Sequence, residues 1–90
     1  MLELHRTSLF RKDLKTAIKR GLPINELDTV IRTLQEEKPL DPKYRDHALT
    51  GNYAKHRECH ILPDWLFIYR VDNGKLLLVA TRTGSHSDLY

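Results

Sequence analysis

The chain predicts an α+β fold: an N-terminal strand, a two-helix hairpin, then an antiparallel three-stranded meander, all in one sheet. Apolar residues recur at helical spacing only between residues 10 and 34, whereas from residue 54 onward short β-rich runs alternate with turn signals. Ninety residues support one two-layer core spanning 1–90, with no second or cofactor domain. Hydrophobic residues at 40% and charged residues at 30% are an ordinary globular balance.

Leu2 and Leu4 flank Glu3 in period-2 alternation, a short first strand. Thr7 or Ser8 caps the first helix, whose apolar stripe is Phe10, Leu14, Ala17 and Ile18. Gly21 stops it and Pro23 opens the next, striped by Ile24, Leu27, Val30, Ile31 and Leu34 and ended by Pro39. The Gly-Leu-Pro link is short enough for an antiparallel hairpin of helices. Residues 39–53, PLDPKYRDHALTGNY, read as a loop, and a loop this long in a small domain is commonly functional. Residues 54–62 read as a strand, with Ala54, His56, Glu58 and His60 on one side and Lys55, Arg57, Cys59 and Ile61 on the other. Pro63-Asp64 turns the chain into a central strand, Trp65 to Val71. Asp72-Asn73-Gly74 predicts a type I′ hairpin into a last strand, Lys75 to Arg82, which Thr83-Gly84-Ser85 breaks.

Cys59 is the only cysteine, so no internal disulfide forms and a reducing compartment is expected. The start, MLELHRTSLF, lacks an apolar signal core, and no run approaches the ~20 residues of a membrane span. A cytoplasmic protein without membrane contact is expected. The net charge of +3 is unevenly spread: residues 6–20 hold six basic side chains against Asp13 alone. That segment reads either as a polyanion-binding surface or as a solvated helix face.

Four of the five histidines, His47, His56, His60 and His86, lie in the second half. Cys59 and His60 are neighbours on a strand and point to opposite faces, so they do not form a metal site, and no metal or cofactor is expected. Several histidines without metal suit RNA cleavage. The 2′-OH is the nucleophile, histidines carry the protons, cations offset the phosphorane charge and aromatic rings hold splayed bases. His5 and His56 read as incidental surface residues. His47, His60 and His86 stay open between that reading and a site. Trp65 is either core or rim, Asp64 either a turn residue or a proton carrier, and Phe67 is core. Cys59 reads as a small buried residue. Glu58 shares the face of His60, but a carboxylate repels phosphate and is left outside the site.

The strings YRDHAL (44–49), TGNY (50–53), HRECHILPDWLFIYR (56–70) and RTGSHSDLY (82–90) resemble the YafQ-type branch of the RelE-like toxins. These are ribosome-dependent mRNA endonucleases of bacterial type II toxin–antitoxin systems, with a RelE/ParE-like microbial RNase fold. The resemblance covers nearly the whole chain. It implies catalytic roles for His47, His60, Asp64 and His86, with His60 or Asp64 as base and His86 as acid. It implies base stacking by Trp65 and by Tyr90, where the family usually has a Phe. For Arg82 it implies a phosphate contact, beside which a structural salt bridge stays open. Arg11, Lys12, Lys15 and Lys19 of the basic helix are expected on ribosomal RNA. The implied partners are the ribosome, mRNA and an antitoxin of the DinJ kind whose complex binds operator DNA. Two alternatives remain: a gyrase-poisoning ParE-type toxin, against which the histidines argue, and a noncatalytic RNA-binding module.

Overall fold

Thr7 links the first strand to the first helix. Its hydroxyl accepts from the Phe10 amide at 3.0 Å, capping the helix, and donates to the Thr81 carbonyl at 2.8 Å, tying that cap to the last strand. The computed structural model describes all 90 residues. In order they form β1 (Glu3–Arg6), α1 (Ser8–Lys19), α2 (Ile24–Gln35), β2 (His47–Ala48), β3 (Arg57–Leu62), β4 (Trp65–Asp72), β5 (Leu77–Gly84) and α3 (His86–Leu89).

Both long helices end in Schellman motifs. Gly21, at φ 72°, donates to Ile18 while Leu22 donates to Ala17. The second helix stops at Gln35 rather than at Pro39, because Glu37 adopts φ 59°, donates to Leu34 and lets Lys38 donate to Thr33. The predicted stripes bury as expected except for Ile18, which is 57% exposed. It sits about 80° around the helix from Phe10, past the edge of the stripe.

The sheet has five strands in the order β1-β5-β4-β3-β2, not a three-stranded meander with one appended strand. The β3-β4-β5 meander is present and antiparallel, but β1 pairs parallel with β5 at the far edge. The two helices carry the chain across one face, so the first and second strands end at opposite edges. The expected loop 39–53 holds two short 3-10 turns, Pro42–Tyr44 and Gly51–Tyr53, with β2 between them. β3 starts at Arg57, three residues later than its alternation suggested. The β4–β5 turn is not type I′: Asp72 pairs with Leu77, and among Asn73, Gly74, Lys75 and Leu76 the positive φ of 54° falls on Leu76. A four-residue loop, braced by the Lys75 amide on Asp72 at 3.1 Å, replaces the two-residue one.

The core lies between the sheet and the two helices. Trp65, Phe67 and Tyr69 of β4 all point into it, with Phe67 stacked on Tyr69 and edge-on to Phe10. A smaller cluster on the opposite face joins Leu66 and Ile68 to Leu89, flanked by Leu49 and Tyr53. No helix is long and apolar enough to cross a membrane.

Candidate active site

β3 supplies both faces of the sheet. Cys59 and Ile61 enter the core, while Glu58 and His60 turn to the face the helices leave open. β2 lays His47 beside Glu58 in antiparallel register. A bulge at Ile61 lets Leu62 pair with Trp65, so the Pro63-Asp64 turn projects at the end of the sheet.

α3 brings the last histidine to that turn. Its start is a capping box: the Ser85 amide donates to Asp88 at 2.9 Å and the Asp88 amide donates to the Ser85 hydroxyl at 3.2 Å. Arg20, beyond the end of α1, grips Asp88 with two bonds of 2.6 and 3.2 Å. Those contacts hold the Asp88 carboxyl well below the usual carboxylate range. A Cβ at Gly84 would come within 2.9 Å of the Asp88 Cβ, so only glycine lets the helix fold back this closely. Leu89 then seats on the smaller apolar cluster, and His86 reaches Asp64.

The result is a row of imidazoles. His47 and His60 have ring centroids 6.0 Å apart, and His60 and His86 5.9 Å. Each Nδ1 faces an oxygen acceptor: the Arg45 carbonyl at 2.7 Å for His47, the Pro63 carbonyl at 3.3 Å for His60, and the Asp64 carboxylate at 2.6 Å for His86. Those acceptors place a proton on Nδ1 and leave Nε2 as the nitrogen that exchanges protons. Asp64 also accepts the His86 amide at 2.9 Å, and these two bonds hold its carboxyl below the ordinary range. An anion so engaged orients His86 and is a poor base.

Glu58 lies at the centre of the row, only 4% exposed. One oxygen stands 3.5 Å from His47 Nε2 and 3.9 Å from His60 Nε2, and the other accepts the Tyr90 hydroxyl at 2.5 Å. Burial and that bond push the Tyr90 phenol pKa up. The structure thus places Glu58 within the row of histidines, where the sequence left it outside. Its charge is buried among histidines and a phenol rather than presented to phosphate, and its shared parity with His60 was the available signal. Tyr53 lies beside this end of the row. It packs edge-on to Tyr90 and His56, and nothing in the periodicity singles it out.

Two expected substrate contacts fall elsewhere. Trp65 is 2% exposed in the helix-covered core, so it cannot stack on a base; its strand-start position does not keep it at the rim, because α1 and α2 cover that end. Its Nε1 is buried without a hydrogen-bond partner. Arg82 forms a two-pronged pair with Asp13 at 2.8 and 3.0 Å, and Asp13 also accepts the Thr83 amide at 3.1 Å. Its charge is therefore committed to joining α1 to β5. Tyr90 remains 64% exposed and available for stacking. Burial raises the Cys59 thiol pKa, consistent with a core residue and no nucleophile. Arg11, Lys12, Lys15 and Lys19 are exposed on α1, in the layer opposite the histidines.

Neither the sequence spacing of histidines and cysteine nor the neighbours Cys59 and His60 point to a metal site. Pairing of β2 with β3 assembles a different set: His47, Glu58 and His60 offer ligand atoms within 4.8 Å of one another. Two imidazoles and a carboxylate suit a transition-metal ion.

Comparisons with known proteins return one family and one fold. The family described as "Bacterial toxin of type II toxin-antitoxin system, YafQ" matches residues 2–90. The mRNA interferase toxin YafQ of Escherichia coli strain K12 is 37% identical over 82 residues, covering 90% of this chain and 87% of that protein. A crystal structure of a metal-bound toxin from Helicobacter pylori superposes with a TM-score of 0.95 at 41% identity, covering all of both chains. The E. coli DinJ–YafQ complex contains a chain that matches with a TM-score of 0.89 at 34% identity, covering 100% of this chain and 99% of that one.

Proposed function

The chain belongs to the YafQ family of bacterial type II toxins, and on that premise we propose how it acts: as an mRNA interferase that cleaves translated mRNA through its row of histidines. Its restraining partner is an antitoxin of the DinJ kind, as in the E. coli complex. The observation that carries the mechanism is the common orientation of the imidazoles, each with Nδ1 facing an oxygen, which leaves Nε2 to exchange protons.

The substrate's 2′-OH attacks the adjacent phosphorus. His60 Nε2 takes the hydroxyl proton, the P–O5′ bond breaks, and His86 Nε2 gives a proton to the departing 5′-oxygen. Products are a 2′,3′-cyclic phosphate and a 5′-hydroxyl. Asp64 accepts from His86 Nδ1 and so fixes the ring's orientation. Glu58 keeps His47 and His60 aligned, and protonated His47 offsets phosphorane charge. Tyr90 stacks on a base. Arg11, Lys12, Lys15 and Lys19 contact ribosomal RNA on the far layer. The ribosome supplies the ordering of mRNA that so shallow a face cannot, so translated mRNA is cut far faster than naked RNA.

End-group mapping tests the chemistry. A single 2′-O-methyl at the cut site blocks cleavage while binding persists, and the downstream fragment carries a 5′-hydroxyl; a 5′-phosphate rejects the mechanism. The His47, Glu58 and His60 cluster favours one second reading, in which these side chains hold a divalent ion that supplies Lewis-acid stabilisation of phosphate oxygens. Cleavage that survives chelation, with ribosome integrity controlled, decides for the histidines alone; loss restored by one metal decides for the ion.

A further inference from the structure

A cavity of about 550 Å³ opens beside the histidine row, between the start of α2, the 3-10 turn at Pro42–Tyr44 and the β3–β4 turn. His60 lines it and is also the middle member of the row. We infer that this cavity is a nucleotide subsite: it takes one base of the RNA next to the scissile phosphate, with the neighbouring phosphate on its cationic rim. The inference rests on the RNA-cleaving reading of the row and adds where the adjoining nucleotide goes.

The walls fit that ligand. Ile61 and Pro63 line one side and Pro23 contributes to another, apolar surface against which a flat ring can lie. Asn25 brings an amide with both donor and acceptor, the group that reads base edges. Lys43 and Arg45 stand exposed at the rim, with Lys43 over the Tyr44 ring at 5.1 Å. The volume lies within the range of small-molecule sites and exceeds what one ordered water needs.

A second observation joins cavity and row. Arg45 is held at φ 50°, a left-handed conformation uncommon for a residue other than glycine or asparagine. Its amide donates to Pro42 at 3.1 Å and its carbonyl accepts His47 Nδ1 at 2.7 Å. One residue thus offers a cation to the cavity rim and orients a histidine of the row. A nucleotide gripped there sits in register with the site of cleavage, which is how binding energy away from the reacting atoms positions them.

The test uses binding without turnover. Adenosine, guanosine, cytidine and uridine 5′-monophosphates are titrated into the isotope-labelled His86→Ala chain and followed by NMR, with inorganic phosphate in parallel. At least one nucleotide is expected to shift the signals of Asn25, Lys43 and Arg45, and Asn25→Leu to weaken it roughly tenfold, the loss of one hydrogen bond. In otherwise wild-type toxin acting on translated mRNA, Asn25→Leu is expected to raise KM or redistribute the bases beside the cut, with 2′-OH dependence intact. The proposal is overturned by inorganic phosphate matching the nucleotides in shifts and affinity, by shifts confined to the histidines, or by none. It is equally overturned if Asn25→Leu changes neither affinity nor cut-site distribution. A peptide side chain from a protein partner is the rival occupant, and it predicts no nucleotide shifts. Failure of the cleavage mechanism shows separately, as wild-type cutting that tolerates 2′-O-methylation.

Discussion

The two faces of the sheet are made by the same strands and obey opposite rules. On the helix-covered face, Cys59 and Phe67 are fully buried in the apolar cluster, and Tyr69, 1% exposed, keeps one polar contact, its hydroxyl donating to Asp46. On the open face, one residue out of step along β3, Glu58 is nearly as buried but surrounded by His47, His60 and the Tyr90 hydroxyl. Burial therefore does not separate core from site in this molecule. What separates them is the kind of group buried: the covered face buries rings and aliphatic chains and leaves one orphan, Trp65 Nε1, while the open face buries the Glu58 carboxylate, which its histidine and phenol partners offset.

That contrast breaks most sharply at His86. His86→Ala is expected to lower mRNA cleavage by about 10²–10⁴-fold, the usual worth of a general acid, while the melting temperature moves little. Activity within a few-fold of wild type removes the acid role. Phe67→Ala attacks the other face: it should cost about 3–5 kcal/mol of stability, and any activity loss should track the unfolded fraction in a denaturant titration. A folded but inactive Phe67→Ala would mean the faces are not separable.

A smaller effect sharpens the comparison. Glu58→Gln keeps an acceptor for Tyr90 but removes the charge between the histidines, and a loss of about 10–100-fold in kcat is expected, as for other groups that orient reacting side chains. Unchanged kcat would return Glu58 to a purely structural role. Smaller still, Trp65→Phe should leave cleavage within a few-fold, since the indole cannot reach RNA; a large loss of kcat in a well-folded variant would reinstate it as a contact.

The smallest effect is in stability against pH. The Asp64 and Asp88 carboxyls are both held below their ordinary values, chiefly by hydrogen bonds from His86 and from Arg20 respectively. Depressed carboxyl pKa values stabilise the fold above the unfolded pKa, near 4, and that contribution fades as pH falls through the folded values. Asp88→Asn should lower the melting temperature at pH 7, with the gap from wild type closing toward pH 2. A gap constant with pH would assign Asp88 a capping role without charge.

Much of this was legible from local rules. Thr7, Gly21 and the stripe Leu27, Val30, Ile31 specify caps and buried faces through neighbours at most a few residues away, and period-2 alternation separated Cys59 from His60. Where local rules failed, a distant partner had overridden them. Asn73-Gly74 carries the signature of a tight turn, yet the register of β4 against β5 placed the left-handed residue at Leu76. Trp65 begins its strand, yet the helices close over it.

By itself, then, the order of residues determined the helices, the central strands, the motifs that resemble the YafQ-type toxins and the three histidines worth watching. Only the tertiary structure decided that β1 lies parallel to β5, that β2 exists, that Arg82 is spent on Asp13, and that Glu58 and Tyr90 complete the row. The reason is the range of the interactions. Helix caps and amphipathic stripes are settled within one or two turns of chain. Glu58 and Tyr90 are 32 residues apart, Asp64 and His86 are 22, and Asp13 and Arg82 are 69, so each pairing is set by how the whole sheet closes.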